Sequence, residues 1–136
     1  MCDGESLRAS DLPSFARLYA GGHVAVDADN DAFAAGVIGR LLAREDGRAD
    51  VLRAMSAWRE AGTAEQHRAA CTPLATLAHR GDAVPGLVGA IVLVCSAIVY
   101  ARFMSLACAR RAVSRLPADQ RKVLLAHHRR STSLLP

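Results

Sequence analysis

Aromatic side chains are scarce, with one Trp, two Tyr and three Phe in 136 residues. A binder of single-stranded nucleic acid stacks bases on exposed rings, so this composition argues against that class and leaves Ala, Val and Leu to build the core. Lysine is nearly missing too. Of 17 basic residues only Lys122 is lysine, and this bias, with so much alanine, reflects a GC-rich coding sequence rather than a function. The cysteines at 2, 71, 95 and 108 form no C-x-x-C pair, which excludes a disulfide framework and fits a reducing compartment. Met1-Cys2-Asp3-Gly4-Glu5 lacks the basic and then apolar order of a signal peptide, and Ser131-Thr132-Ser133-Leu134-Leu135-Pro136 has no hydrophobic tail, so neither a leader nor a stable membrane anchor is expected. No Gly-rich phosphate loop, G-x-S-x-G elbow or H-E-x-x-H occurs, and the chain is read as a non-enzyme without cofactor. His67 and Cys71 share a helical face at i, i+4, with His79 further on. A metal site needs a fourth ligand and a second shell, so none is assigned.

What is present is apolar and helical. Hydrophobic residues make up 51% and charged ones 22%, which describes one folded domain over residues 1–136, with 1–29 allowed as a short N-terminal extension. The charge is uneven. Residues 101–136 carry Arg102, Arg110, Arg111, Arg115, Arg121, Lys122, Arg129 and Arg130 against Asp119 alone, a net +7 that leaves −3 for residues 1–100. Such a third could meet nucleic acid or anionic lipid, and it also describes a solvated helix face.

No stretch alternates apolar and polar residues in the manner of a strand. Ser10 or Asp11 caps a first helix with Phe15, Leu18 and Tyr19 on one side, closed by Gly21-Gly22. A second helix starts at Asp29-Asn30-Asp31 and carries the stripe Phe33, Val37, Ile38, Leu41, Leu42, with Arg40 and Arg44 opposite. A third, from about Arg48 to Ala61, shows Val51, Leu52, Met55 and Trp58 on one face, with Gly62 as a left-handed cap. Thr63-Ala64-Glu65-Gln66 has capping-box spacing for a short fourth helix, and Thr72-Pro73 restarts the chain for a fifth that stops at Gly81. Ala83 to Ala101 follows, 19 residues without a charge that would span about 28 Å as a helix. A helix apolar all round is enclosed by lipid or by other helices. Because five other segments each carry a stripe needing a partner, residues 84–107 are expected to form one central helix, buried on every face. Leu116-Pro117 then breaks the pattern before a last helix from Ala118.

This plan, together with Arg80-Gly81-Asp82-Ala83-Val84-Pro85-Gly86-Leu87-Val88-Gly89-Ala90, resembles the Bcl-2 family of apoptosis regulators, whose first homology motif reads R-D-G-V-N-W-G-R-I-V-A. Arg80, Gly86 and Ala90 match in register, and Val88 is conservative. Trp58-Arg59-Glu60-Ala61-Gly62-Thr63 is similar to the family's third motif, L-R-x-x-G-D, and Val113-Ser114-Arg115-Leu116 to a V-S-R-I stretch downstream. Leu87 stands where the family has the arginine that pairs with a ligand aspartate, Pro85 replaces the tryptophan, and no second motif is found. The resemblance is closest in kind to a divergent, tail-less viral member. It implies an all-α, Bcl-2-like bundle with a central hydrophobic helix surrounded by amphipathic ones. The implied function is anti-apoptotic: the Bcl-homology-3 helix of a host pro-apoptotic protein is sequestered in a groove, in the host cytoplasm or peripherally at mitochondria. The implied groove residues are Leu74, Leu77, Ala78, Val84, Gly86, Leu87 and Ala90, with Arg68 or Arg80 at the rim. An empty apolar groove also invites a homodimer. The rival readings are a small basic helical regulator that binds nucleic acid and a membrane-inserting helical protein.

Overall fold

A chain rich in Ala, Arg and Leu favours helix throughout. A computed structural model describes residues 7–80 and 86–133, and among the described residues every regular element is helical. A 3-10 turn (Ala9–Asp11) leads into α1 (Leu12–Ala20). α2 (Asp27–Phe33) continues through a π-helical turn (Ala34–Ile38) into α3 (Gly39–Ala43). Then come α4 (Arg48–Ala61), α5 (Ala64–Arg80), α6 (Leu87–Val94), α7 (Ala97–Ser105), α8 (Ala107–Arg115) and α9 (Ala118–Ser133). The all-α class stands.

The enclosed helix is α5. Every residue from Ala69 to Ala75 is buried, and α1 to α4 and α6 to α8 all pack against it. The expectation of a short fourth helix and a restart at Thr72-Pro73 is corrected here, because Pro73 sits inside one continuous helix. Proline removes the N–H that Ala69 C=O would accept. The Thr72 hydroxyl donates to Arg68 O at 3.0 Å and the Thr76 hydroxyl to Thr72 O at 2.8 Å, spanning the weakened turn. The Pro73 ring lies against Gly39, where an added Cβ would sit 3.7 Å from Pro73 Cβ.

The single central helix over 84–107 is also corrected. Cys95 is extended (ψ 112°), and Ser96 caps α7 by accepting the Val99 N–H at 3.4 Å. Leu106 is extended again (ψ 124°), so the stretch is three short helices. Nor is it buried all round, since Leu93 is 51% and Ile98 56% exposed. α6 packs against α4, α5 and α9, and α7 against α5, α8 and α9, which covers most of their apolar residues without making the segment central.

Other local signals are realised. The Thr63 N–H donates to Gln66 Oε1 at 2.8 Å and the Gln66 N–H to Thr63 Oγ1 at 3.3 Å, a reciprocal capping box. Val51, Met55 and Trp58 of α4 are buried, with Trp58 edge-on to Tyr19 at 5.6 Å. α1 joins the same core through Leu12 and Tyr19. Gly62 is extended (φ −79°, ψ 160°) rather than left-handed. Its glycine is required sterically, because a Cβ there would run into the Trp58 carbonyl oxygen. Gly62→Ala should therefore lower stability by about 1–3 kcal/mol. Gly36→Ala, where a Cβ meets nothing within 4 Å, should raise it by up to ~1 kcal/mol. Urea denaturation of the two variants checks this contrast, and equal effects would contradict the contact.

Candidate functional site: a cationic cleft beside the enclosed helix

Asn30 and Asp31 look like helix-start residues, yet both point inward from α2. Asn30 is 1% exposed. Its Oδ1 accepts the Tyr19 hydroxyl at 2.8 Å and its Nδ2 donates to Glu65 O at 2.8 Å. Beside it, Arg68 Nε and Nη2 donate to the two Asp31 oxygens at 2.7 and 2.6 Å, a bidentate fork. Thr72 Oγ1 approaches Asp31 at 3.1 Å and Asp27 lies 3.4 Å from Arg68. The Arg68 hydrogen bonds hold the Asp31 carboxyl below the usual carboxylate range, against a smaller opposing effect of burial, and Asp31 in turn raises Arg68. Burial, helped by the Asp31 charge, pushes the Tyr19 phenol up.

From this junction the segment through α2, the π turn and α3 runs along α5 in the same sense, since Asp31 meets Arg68 and Gly39 meets Pro73. Between them opens a cleft of about 380 Å³, lined by Ala35, Gly36, Gly39, Arg40, Ala43, Pro73, Thr76, Leu77 and Arg80. The π turn supplies Ala35 and Gly36, an irregularity often found where a helix serves a site. Gly36 faces open space. Arg40 and Arg80 are exposed, and neither enters an ion pair among the described residues. Among the described residues no acidic side chain lines the cleft, whereas Arg40 and Arg80 do, so the described lining is positively charged.

Of the residues implied by the resemblance, the structure brings Leu77 and Arg80 to this cleft. Arg68 is not a rim cation, because Asp31 engages it within the fold. Leu74, Leu77 and Ala78 are 1%, 4% and 7% exposed, and Leu74 belongs wholly to the core. Gly86 is exposed in the left-handed region (φ +73°) at the start of α6. Leu87 and Ala90 are half-buried against the core, away from the cleft lining. Val84 lies outside the described residues. Arg40, Gly36, Gly39 and Ala43 carried little signal beyond lying off the Ile38, Leu41, Leu42 stripe.

A second cleft, about 390 Å³, lies against Leu7–Ser10 and mixes Arg8 and Arg44 with Asp46 and Asp50. Cys71 donates its thiol to Val99 O at 3.2 Å, and burial lowers the His67 pKa. Among the described residues no group of three His, Cys, Asp or Glu is placed to hold a metal. No protein-family model, curated protein or solved structure matches the chain.

The half-buried fork should show a coupling of about 1–2 kcal/mol in a double-mutant cycle of Asp31→Asn with Arg68→Gln. The pH sign follows from the lowered Asp31 pKa. Its contribution is complete above about pH 5 and disappears as pH falls through the folded pKa. Acid titration of unfolding should thus show a shallower decline in Asp31→Asn than in the wild type. Equal slopes would contradict the pairing.

Proposed function

We propose that the chain is an anti-apoptotic protein of the Bcl-2 type, a divergent viral form that sequesters an amphipathic pro-apoptotic helix of its host. The observation that carries this reading is the cleft between Ala35–Ala43 and Pro73–Arg80, with its small residues and its two arginines, which enter no ion pair among the described residues. Gly36 and Ala43 are exposed and allow a ligand backbone to come close, while Ala35 and the exposed edge of Leu77 offer apolar contact. The motif resemblance supports the class of protein and not the cleft itself, whose lining includes neither Gly86, Leu87 nor Ala90. The departures relocate the groove. In this chain the enclosed helix, α5, precedes the Arg80–Ala90 motif instead of following it. Binding therefore falls to the α3–α5 side rather than to the start of α6.

Leu87 cannot make the charge-assisted bond of the family's arginine. Such a bond is worth ~1.5–3 kcal/mol, or roughly ten- to a hundred-fold in affinity. Arg80, and Arg40 facing the same cleft, take over recognition of the ligand's acid. The ligand range is accordingly narrow, selected by apolar fit.

Fluorescence anisotropy with a panel of labelled pro-apoptotic helix peptides tests this. Gly36→Gln fills the cleft at an exposed helical position where glycine is the poorer helix former, so the fold is retained. The expected result is binding of a few peptides, lost at least about tenfold in Gly36→Gln with an undiminished melting temperature. Arg80→Ala should couple to an Asp→Ala change in the peptide. Binding that is unaffected by Gly36→Gln, or no binding by any peptide, would refute the proposal.

A further inference from the structure

We propose that Cys71 and Cys95 are a redox-active pair, which a peroxide converts into a disulfide that fastens α5 to the joint between α6 and α7. This does not depend on the cleft or on what the cleft binds. Cys71 shares a face of α5 with Leu74 and Ala78, whereas Pro73, Thr76, Leu77 and Arg80 line the cleft.

Both sulfurs are enclosed. Cys71 is 0% and Cys95 2% exposed, and each is a free thiol. The Cys71 thiol donates to Val99 O at 3.2 Å. The Cys95 thiol lies within hydrogen-bonding reach of the Cys71 sulfur, which together with burial pushes the Cys95 thiol far up. Two thiols therefore meet in the core, one from α5 and one from the joint. Among the described residues no group of three His, Cys, Asp or Glu is placed to hold a metal, so the chemistry open to the pair is their own.

The joint is the second observation. No proline or glycine occurs between Ala90 and Leu116, yet the helix is interrupted at Cys95 (φ −83°, ψ 112°) and Ser96 (φ −78°, ψ 177°). Arg59 of α4, whose side chain is 30% exposed, donates to Leu93 O at 2.6 Å. Its charge acts on the Cys95 thiol against the upward shift. Cys95 thus sits on backbone outside any helix, beside a cation that meets solvent. Turning the joint brings its sulfur to the roughly 2 Å of an S–S bond without deforming α5.

Because Cys95 keeps its proton, the Cys71 sulfur attacks first. It takes one peroxide oxygen and becomes a sulfenic acid, and the displaced hydroxide leaves with the Cys71 proton as water. The Cys95 sulfur then attacks the Cys71 sulfur, and the sulfenic hydroxyl leaves with the Cys95 proton as a second water. Two thiols lose two electrons in all, and one peroxide is reduced to two waters. In a reducing compartment such a bond is transient and returns to two thiols by exchange with a small thiol. While it lasts, it closes the loop from 71 to 95 and restricts the unfolded chain.

The test treats the folded full chain with hydrogen peroxide at low molar excess, alkylates the remaining thiols in denaturant, and maps the linkage by tryptic mass spectrometry. The expected product joins the peptide 69–80 to the peptide 81–102, which carry Cys71 and Cys95, and dithiothreitol reverses it. Cys2→Ser/Cys108→Ser should form it at the same rate within about twofold, since neither thiol takes part. Oxidation of that variant should raise its melting temperature by about 5 °C. Adding Cys71→Ala should abolish the rise and leave Cys95 open to alkylation. Three results would each overturn the proposal: Cys95 still alkylated after treatment of the folded wild type, a 71–95 linkage that forms as readily in urea as in the folded chain, or a bond that lowers the melting temperature.

Discussion

The fork between Arg68 and Asp31, with Asn30 bridging Tyr19 to the first turn of α5, sets where the α2–α3 segment lies on the enclosed helix. Half-buried charges persist in a fold when each satisfies the other, and removing one member leaves its partner desolvated and unpaired. These contacts sit near the start of both segments and pin them there. The π turn then shifts the helix face by a fraction of a turn, and glycine and alanine replace bulky side chains on the side facing α5. The cleft is the space that results. Its position is thus a consequence of a polar junction two turns away, and so is its charge, because Asp31 neutralises Arg68 whereas Arg40 and Arg80 enter no ion pair among the described residues.

A core with few aromatics has a related effect. The rings that exist are gathered in two places, Phe15, Phe33, Tyr19 and Trp58 under α1 and Tyr100 with Phe103 under α9. Elsewhere Ala, Val, Leu and Cys fill the interior around α5, so helices approach closely and are joined by short connections. The proposed cleft follows from that economy of volume, a narrow, small-residue trough with cations at its rim.

Much of the local structure was legible because its causes are local. The Thr63–Gln66 box, the α4 stripe and the final helix each depend on spacing within a few residues. The central helix was not legible for a physical reason. The uncharged run from Ala83 to Ala101 suggested burial, but apolarity requires neighbours, not a central place, and α4, α5 and α9 around its described part suffice. Conversely, Thr72-Pro73 resembled a helix start, and nothing in the sequence announces that two threonine hydroxyls and Gly39 support a proline inside α5. Of the candidate site, Leu77 and Arg80 were identified from the resemblance. Arg68 was misplaced because its partner lies 37 residues away, and Arg40 was placed only opposite the apolar stripe of its helix, since the approach of α5 alone distinguishes it.

The central claim is that a pro-apoptotic helix seats between α3 and α5. Two-dimensional amide NMR of the labelled chain, titrated with an unlabelled helix peptide, addresses it residue by residue. The account predicts that the largest shift changes fall on Ala35 to Ala43 and on Pro73 to Arg80 (proline itself giving no amide signal), with α9 unmoved. Changes concentrated at Gly86 to Ala90 instead, or spread evenly over the chain, would contradict it.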